Sequence, residues 1–155
     1  MKTFFLTTLF FLTTYTNSIV LSDSDFNFKS GINLEFHSLE KARKIDSYFK
    51  RYKMPLHGYG LEFVKAAEKY DLPYNFLAAI AVQESTGGKF CKNNNPFGWG
   101  GGKIRFSDFS EAIDVVSDKL ANHKYYQGKN LDGKLLIYNS NPEYKQKILW
   151  IMEQI

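Results

Sequence analysis

The sequence predicts an all-α domain, and three observations carry that reading. Residues 76–82, FLAAIAV, are seven successive apolar residues that offer water no face, so a helix there is buried on every side and forms the centre of the domain. Stretches on both sides of it place apolar residues at the i, i+3, i+4 spacing of amphipathic helices. No internal repeat or low-complexity linker interrupts the 155 residues, which makes a single domain of five or six helices the simplest architecture.

A chain of this length buries roughly two thirds of its unfolded surface on folding, so no second domain is needed. Its composition is ordinary except for the aromatics, since 14 Phe, 10 Tyr and 2 Trp make up 17% of the residues. Some of those rings must reach the surface, where rings bind ligands. The formal charge of +4 falls to +3 if the first 22 residues are removed, because Lys2 leaves with them. There is no block of like charge to serve as a nucleic-acid arm, and mild basicity suits an anionic cell-wall polymer without selecting it.

The first 22 residues read as an export signal. Lys2 precedes the apolar run FFLTTLFFL, the polar stretch TTYTNS follows, and no further charge appears before Asp23. Cleavage is expected after Ser18 or Ser22. The alternative is a retained N-terminal anchor over residues 4–21, although six Thr in residues 2–17 make a poor membrane span. Either way the protein is expected outside the cytoplasm, secreted or in the cell envelope. The single cysteine, Cys91, has no internal partner for a disulfide, and none of His37, His57 and His123 lies near it in sequence to act as a base. It is read as structural. No group of His, Cys and carboxylates has metal-ligand spacing, so neither metal nor cofactor is expected.

Residues 23–37 are polar with scattered Phe and show no period, which predicts a loosely ordered leader. The folded domain then spans residues 38–155. Ser38 is the expected N-cap of a first helix, LEKARKIDSYFKRYK, with Leu39, Ala42, Ile45, Tyr48, Phe49 and Tyr52 on its apolar face, ended by Pro55 and Gly58. Gly60 opens a second helix whose inner face is Leu61, Phe63, Val64 and Ala67, and which brings Tyr70 near the base of the central one.

The central helix is entered at Pro73 and stopped by Gly87 and Gly88, about twelve residues or roughly 18 Å. Gln83, Glu84 and Ser85 close it, so a carboxyl group sits at the end of a buried helix. Desolvation and the negative end of the helix dipole both disfavour a charged group there, and a carboxyl that keeps its proton is what a general acid requires. The plainer reading of Glu84 is an exposed residue at a frayed helix end.

The stretch KFCKNNNPFGWGGGKIRF, residues 89–106, has no helical period and holds three Asn, one Pro and four Gly, so it is a loop of tight turns. Asn94, Asn95, Phe97 and Trp99 can present amides and ring faces to a sugar, or the rings can cap the core. Residues 103–106 can add a short strand. Asp108 and Glu111 form a capping box, with Ser107 as an alternative cap, for a helix over residues 111–126 that turns Ala112, Ile113, Val116 and Leu120 inward and breaks at Gly128. His123 at its end is read as a surface or capping residue. A short helix lies around LLIYNS. Asn141 and Pro142 then start the closing helix, whose buried stripe is Tyr144, Ile148, Ile151 and Ile155.

With these pieces in place, the chain from Ser38 to its end resembles the glucosaminidase family of the lysozyme-like superfamily, bacterial enzymes that cut the glycan strands of peptidoglycan. Four segments carry the resemblance in order: AIAVQESTGGK, NNNPFGWG, FSDFSEAIDVVSDKLANHKYY and IYNSNPEYKQKIL. It implies a lysozyme-like fold with a glycan cleft, an endo-β-N-acetylglucosaminidase that cleaves β-1,4 bonds without a cofactor, and Glu84 as the catalytic acid and base. It further implies that Asn95, Phe97 and Trp99 line the cleft and that Tyr138 lies in it, although a tyrosine on a short helix also suits the core. The implied partner is peptidoglycan or another N-acetylglucosamine-containing glycan, with no nucleic acid and no membrane beyond an N-terminal anchor.

The chain departs from the usual glycosidase pattern in its carboxylates. A second carboxyl normally stands about 5 to 9.5 Å from the acid, depending on stereochemistry. Between Glu84 and Phe97 there is none, and Asp108 and Glu111 have a place at a helix start. Either the acetamido group of the substrate acts as nucleophile, or its 6-hydroxyl attacks as in lytic transglycosylases. A non-catalytic glycan-binding module on the same fold is the rival from another class.

Overall fold

The computed structural model describes residues 23–155, and the export signal read in residues 1–22 lies outside them. The described chain is all-α: α1 (Asp23–Arg51), α2 (Gly60–Lys69), α3 (Phe76–Ser85), α4 (Phe109–Asn122), α5 (Leu131–Tyr138) and α6 (Pro142–Gln154), with no strand among the described residues. The short strand expected at residues 103–106 is therefore absent. None of these helices is long and apolar enough to cross a membrane.

Helix α3 is the centre the sequence called for. Phe76 to Ala81 are all buried, every one except Leu77 at 0% exposure and so on all sides of the helix, and only Val82 of the apolar run is half-buried. The helix is shorter than expected at its start, because Pro73 lies in the preceding turn and Asn75 is the N-cap residue. The Asn75 side chain donates instead to Met152 O at 2.7 Å and so fastens the start of α3 to the last turns of α6. At the other end Thr86 takes a left-handed conformation, φ 54°, one residue before the glycines that were expected to stop the helix.

Around α3, helix α6 packs along it, α1 against α2, and α2 against α4, with α5 resting on α6. Gly60 permits the close approach of α2 to α1: a β-carbon there would stand 2.3 Å from Ala42 O. Asp46 on α1 accepts from Gly58 N at 2.8 Å and Gly60 N at 3.0 Å, which holds the start of α2 against α1.

Two sequence expectations about the helices are corrected. The region read as a leader, residues 23–37, belongs to α1, and Ser38 is a mid-helix residue whose Oγ donates to Leu34 O at 3.1 Å and to Glu68 Oε1 at 2.7 Å. The physical reason is propagation. Once the second half of α1 is fixed by packing, each residue added at its N-terminus gains a backbone hydrogen bond without repeating the nucleation cost, so no apolar period is required. Helix α4 stops at Asn122, and residues 123–128 form turns. Two other capping readings hold: Asp108 accepts from Glu111 N at 2.8 Å, with the Glu111 carboxylate reaching back to Ser107, and Asn141 accepts from Glu143 N at 2.9 Å with Pro142 beside it.

Candidate functional site

The Glu-Ser pair that ends α3 divides into an outward and an inward residue. Ser85 is buried, with its Oγ 2.7 Å from Pro96 O, 3.1 Å from Ala81 O and accepting from Gly88 N at 2.9 Å. It ties the loop to the helix end. Glu84, one residue and about 100° round the helix from Ser85, is exposed. The sheltering by hydrophobic packing that the sequence reading expected for this carboxyl is therefore corrected: the buried stripe narrows from all of residues 76–81 to Ser85 alone in the last turn, and Glu84 leaves it.

The loop that follows is framed by its own asparagines. Asn93 Nδ2 donates to Gly102 O at 3.3 Å, and Asn94 Nδ2 to Ser107 O at 2.8 Å and Phe106 O at 3.1 Å. Both residues have positive φ, 58° and 52°, a conformation Asn tolerates better than most. Asn95 is buried with its amide fully engaged, accepting from Trp99 N at 3.0 Å and donating to Trp99 O at 2.8 Å and Ile104 O at 3.2 Å. Phe97 has no exposed surface and meets Phe63 edge-on in the core at 6.4 Å. Of the residues expected to line a cleft, Phe97 lies beneath the loop, while Asn95 borders the depression that holds Glu84 with its amide already spent on loop backbone.

Trp99 and Tyr138 do come together. Trp99 is half-buried and stands 5.9 Å from Tyr138 and 6.0 Å from Tyr126, ring centre to ring centre. These three rings, with His123, Tyr125 and the backbone of Gly98, Gly100 and Gly101, line an open depression of about 370 Å³. A second depression of about 260 Å³ is lined by Glu84, Ser85, Phe90, Cys91, Lys92, Asn95, Gly98, Gly101 and Gly102. Gly98 and Gly101 belong to both, so the carboxylate and the aromatic face lie on either side of one glycine-rich segment. Gly98 has φ 60°, and a β-carbon on it would stand 3.1 Å from Glu84 Oε2. A side chain there would crowd that oxygen, and the left-handed backbone itself favours glycine.

Behind the aromatic face, Tyr138 stacks on Tyr144 with ring centres 6.0 Å apart and planes 13° from parallel. The Tyr138 hydroxyl donates to Phe97 O. Burial, and after it the negative charge of Glu84, push that hydroxyl well above the ordinary tyrosine range. Lys134 completes the frame: buried on α5, it donates through Nζ to Leu120 O at 2.6 Å and Tyr126 O at 3.0 Å. It thereby closes the C-terminal end of α4 and holds Tyr126 in place, while burial lowers its own pKa. The sequence reading missed Ser85, Lys134, Tyr125 and Tyr126. The excess of aromatic residues and the Tyr pair after Lys124 were the available signals for the last two.

Glu84 is the single carboxylate lining either depression. Glu111 is occupied at the start of α4, where Ser107 N donates to it at 2.6 Å and Ser107 Oγ at 2.7 Å, and these bonds hold its carboxyl below the ordinary range. No group of three or more His, Cys, Asp or Glu able to hold a metal occurs among the described residues. Cys91 is half-buried, its Sγ 3.2 Å from Gly88 O, and burial raises its thiol pKa, which disfavours the thiolate a nucleophile would need. Comparison of the chain with protein-family models, with curated proteins and with solved structures returns no match.

Proposed function

We propose that the protein is a secreted or envelope-located peptidoglycan hydrolase of lysozyme-like fold, an endo-β-N-acetylglucosaminidase type in which Glu84 is general acid and base. The observation that carries this reading is the juxtaposition of one exposed carboxylate with a face of Trp99, Tyr126 and Tyr138 across the Gly98 and Gly101 backbone. A glycan strand lying over that segment stacks its apolar sugar faces on the rings while a glycosidic oxygen rests near Glu84. In this arrangement the substrate supplies the shelter that the free protein lacks. A sugar ring covering Glu84 excludes water and sets the carboxyl against the glycosidic oxygen it must protonate.

The chemistry is constrained by the lone carboxylate. Glu84 protonates the leaving oxygen, and the nucleophile comes from the substrate: its acetamido oxygen, followed by hydrolysis, or its 6-hydroxyl, which gives an anhydro-sugar as in lytic transglycosylases. In the first route Glu84 then takes a proton from the incoming water, and in the second from the 6-hydroxyl. Cleavage of purified cell walls tests the role directly. Glu84→Gln lowers the rate by about 100-fold or more at unchanged folding, the range expected for loss of a general acid. A folded variant that still cleaves glycan refutes it. Product masses separate the two routes.

A second reading is favoured by the exposure of Glu84 and the missing second carboxylate: a glycan-binding module without catalysis. It binds N-acetylglucosamine oligomers through Trp99 and releases no reducing ends from any wall preparation. A reducing-end assay decides between the two.

A further inference from the structure

The Tyr144 hydroxyl lies among the buried residues of α6 and has no hydrogen-bond partner among the described residues, the one buried side-chain oxygen or nitrogen there of which this is true. Such a group costs free energy that a phenylalanine of the same shape would not. A stacked tyrosine pair needs no hydroxyl to pack, so the oxygen calls for another explanation.

Its surroundings supply one. Of the stacked pair, Tyr138 has already committed its proton to Phe97 O, which leaves Tyr144 as the member with a proton to give. A chain of contacts leads from it to Glu84: the stacked Tyr138 bonds Phe97 O, and the next residue, Gly98, is the one whose β-carbon would meet Glu84 Oε2. With no side chain on Gly98, whose β-carbon would stand 3.1 Å away, that oxygen is uncrowded. Burial, the neighbouring Tyr138 and Glu84 together push the Tyr144 hydroxyl far above the ordinary tyrosine range, so it remains a donor throughout the working pH range.

We propose that Tyr144 is a positioning residue for Glu84: a small rotation of the Glu84 side chain brings a carboxylate oxygen onto Tyr144 Oη, and this bond fixes the orientation in which the other oxygen faces the groove. Tyr144 touches no substrate. It acts from below the aromatic face by limiting the directions Glu84 samples, which raises the fraction of bound complexes in reactive geometry. The proposal rests on Glu84 being the acid, but the contact itself can be tested without activity.

Two measurements test it. Tyr144→Phe keeps the ring stack, so the fold and KM for glycan are unchanged while kcat falls about tenfold, the pattern of an interaction that matters only in the transition state. A merely structural hydroxyl gives the opposite result, unchanged kcat with a higher Tm. Independently of turnover, a double-mutant cycle of Glu84→Ala and Tyr144→Phe, read by denaturant unfolding, departs from additivity by at least about threefold in the unfolding constant. Additive unfolding, or an active Tyr144→Phe with wild-type kcat, overturns the proposal. If wild-type protein releases no reducing ends, the hydrolase reading fails and the cycle alone decides whether the contact exists.

Discussion

The wall that carries Glu84, lining one depression, comes from one contiguous piece of chain, residues 84–102, whereas the aromatic wall of the other takes Trp99 from that piece, Tyr126 from the turn after α4 and Tyr138 from the end of α5. The first is held by short-range bonds: Ser85 reaches Pro96, Asn95 reaches Trp99, and Asn93 reaches Gly102. The second is held between elements by Lys134 of α5, a buried side chain that bonds Leu120 O on α4 and Tyr126 O in the turn after it. A wall built from local bonds is set by its own composition. A wall assembled from separate helices is set by whatever docks those helices.

That difference explains what is legible in the sequence alone. The buried run in α3, the capping box at Asp108 and Glu111, and the Asn141 and Pro142 start of α6 are local patterns with local causes, and all three are found. The Asn-rich loop was legible as a loop for the same reason. The roles of its residues were not, because Asn95 and Phe97 look like ligand-binding types until their partners are known, and those partners are carbonyls and a core ring. Tyr126 and Lys134 were invisible as a pair, since nothing in their spacing says that α5 lays one against the other. The exposure of Glu84 was also out of reach: an all-apolar run predicts burial of the helix but not the angle at which its last turn leaves the core.

The largest effect separates the walls by stability. Phe97→Ala empties a fully buried site beneath the Glu84 wall and should cost about 3 to 5 kcal/mol of unfolding free energy, measured by denaturant titration. An effect below about 1 kcal/mol would mean that this ring caps the surface and that the local wall does not depend on the core.

Lys134→Met tests the aromatic wall. It keeps an unbranched side chain in the site but removes both donors from Leu120 O and Tyr126 O, for an expected loss of about 1 to 3 kcal/mol. Because those carbonyls belong to the end of α4 and the turn that holds Tyr126, glycan affinity should fall as well, with the Glu84 wall intact. Stability lost with affinity kept would place the binding surface away from Tyr126.

The smallest expected effect lies outside both walls, at the start of the helix that delivers Tyr126. Ser107 N–H and Oγ–H hold the Glu111 carboxyl below its ordinary value of 4.5 in the folded protein. A group whose folded pKa is lowered contributes stability that is complete above the unfolded value and disappears as pH falls through the folded one. Wild-type Tm should therefore drop on acidification below about 4.5, and Glu111→Ala should flatten that limb slightly while lowering Tm at neutral pH. Since the carboxylate is exposed, the change is small, and added salt should shrink it further. Glycan binding should survive the same substitution, because fraying the first turn of α4 leaves its last turn, clamped by Lys134, where it was. If binding were lost together with the cap, the two ends of α4 would be coupled and the aromatic wall would depend on the whole helix rather than on its anchored end.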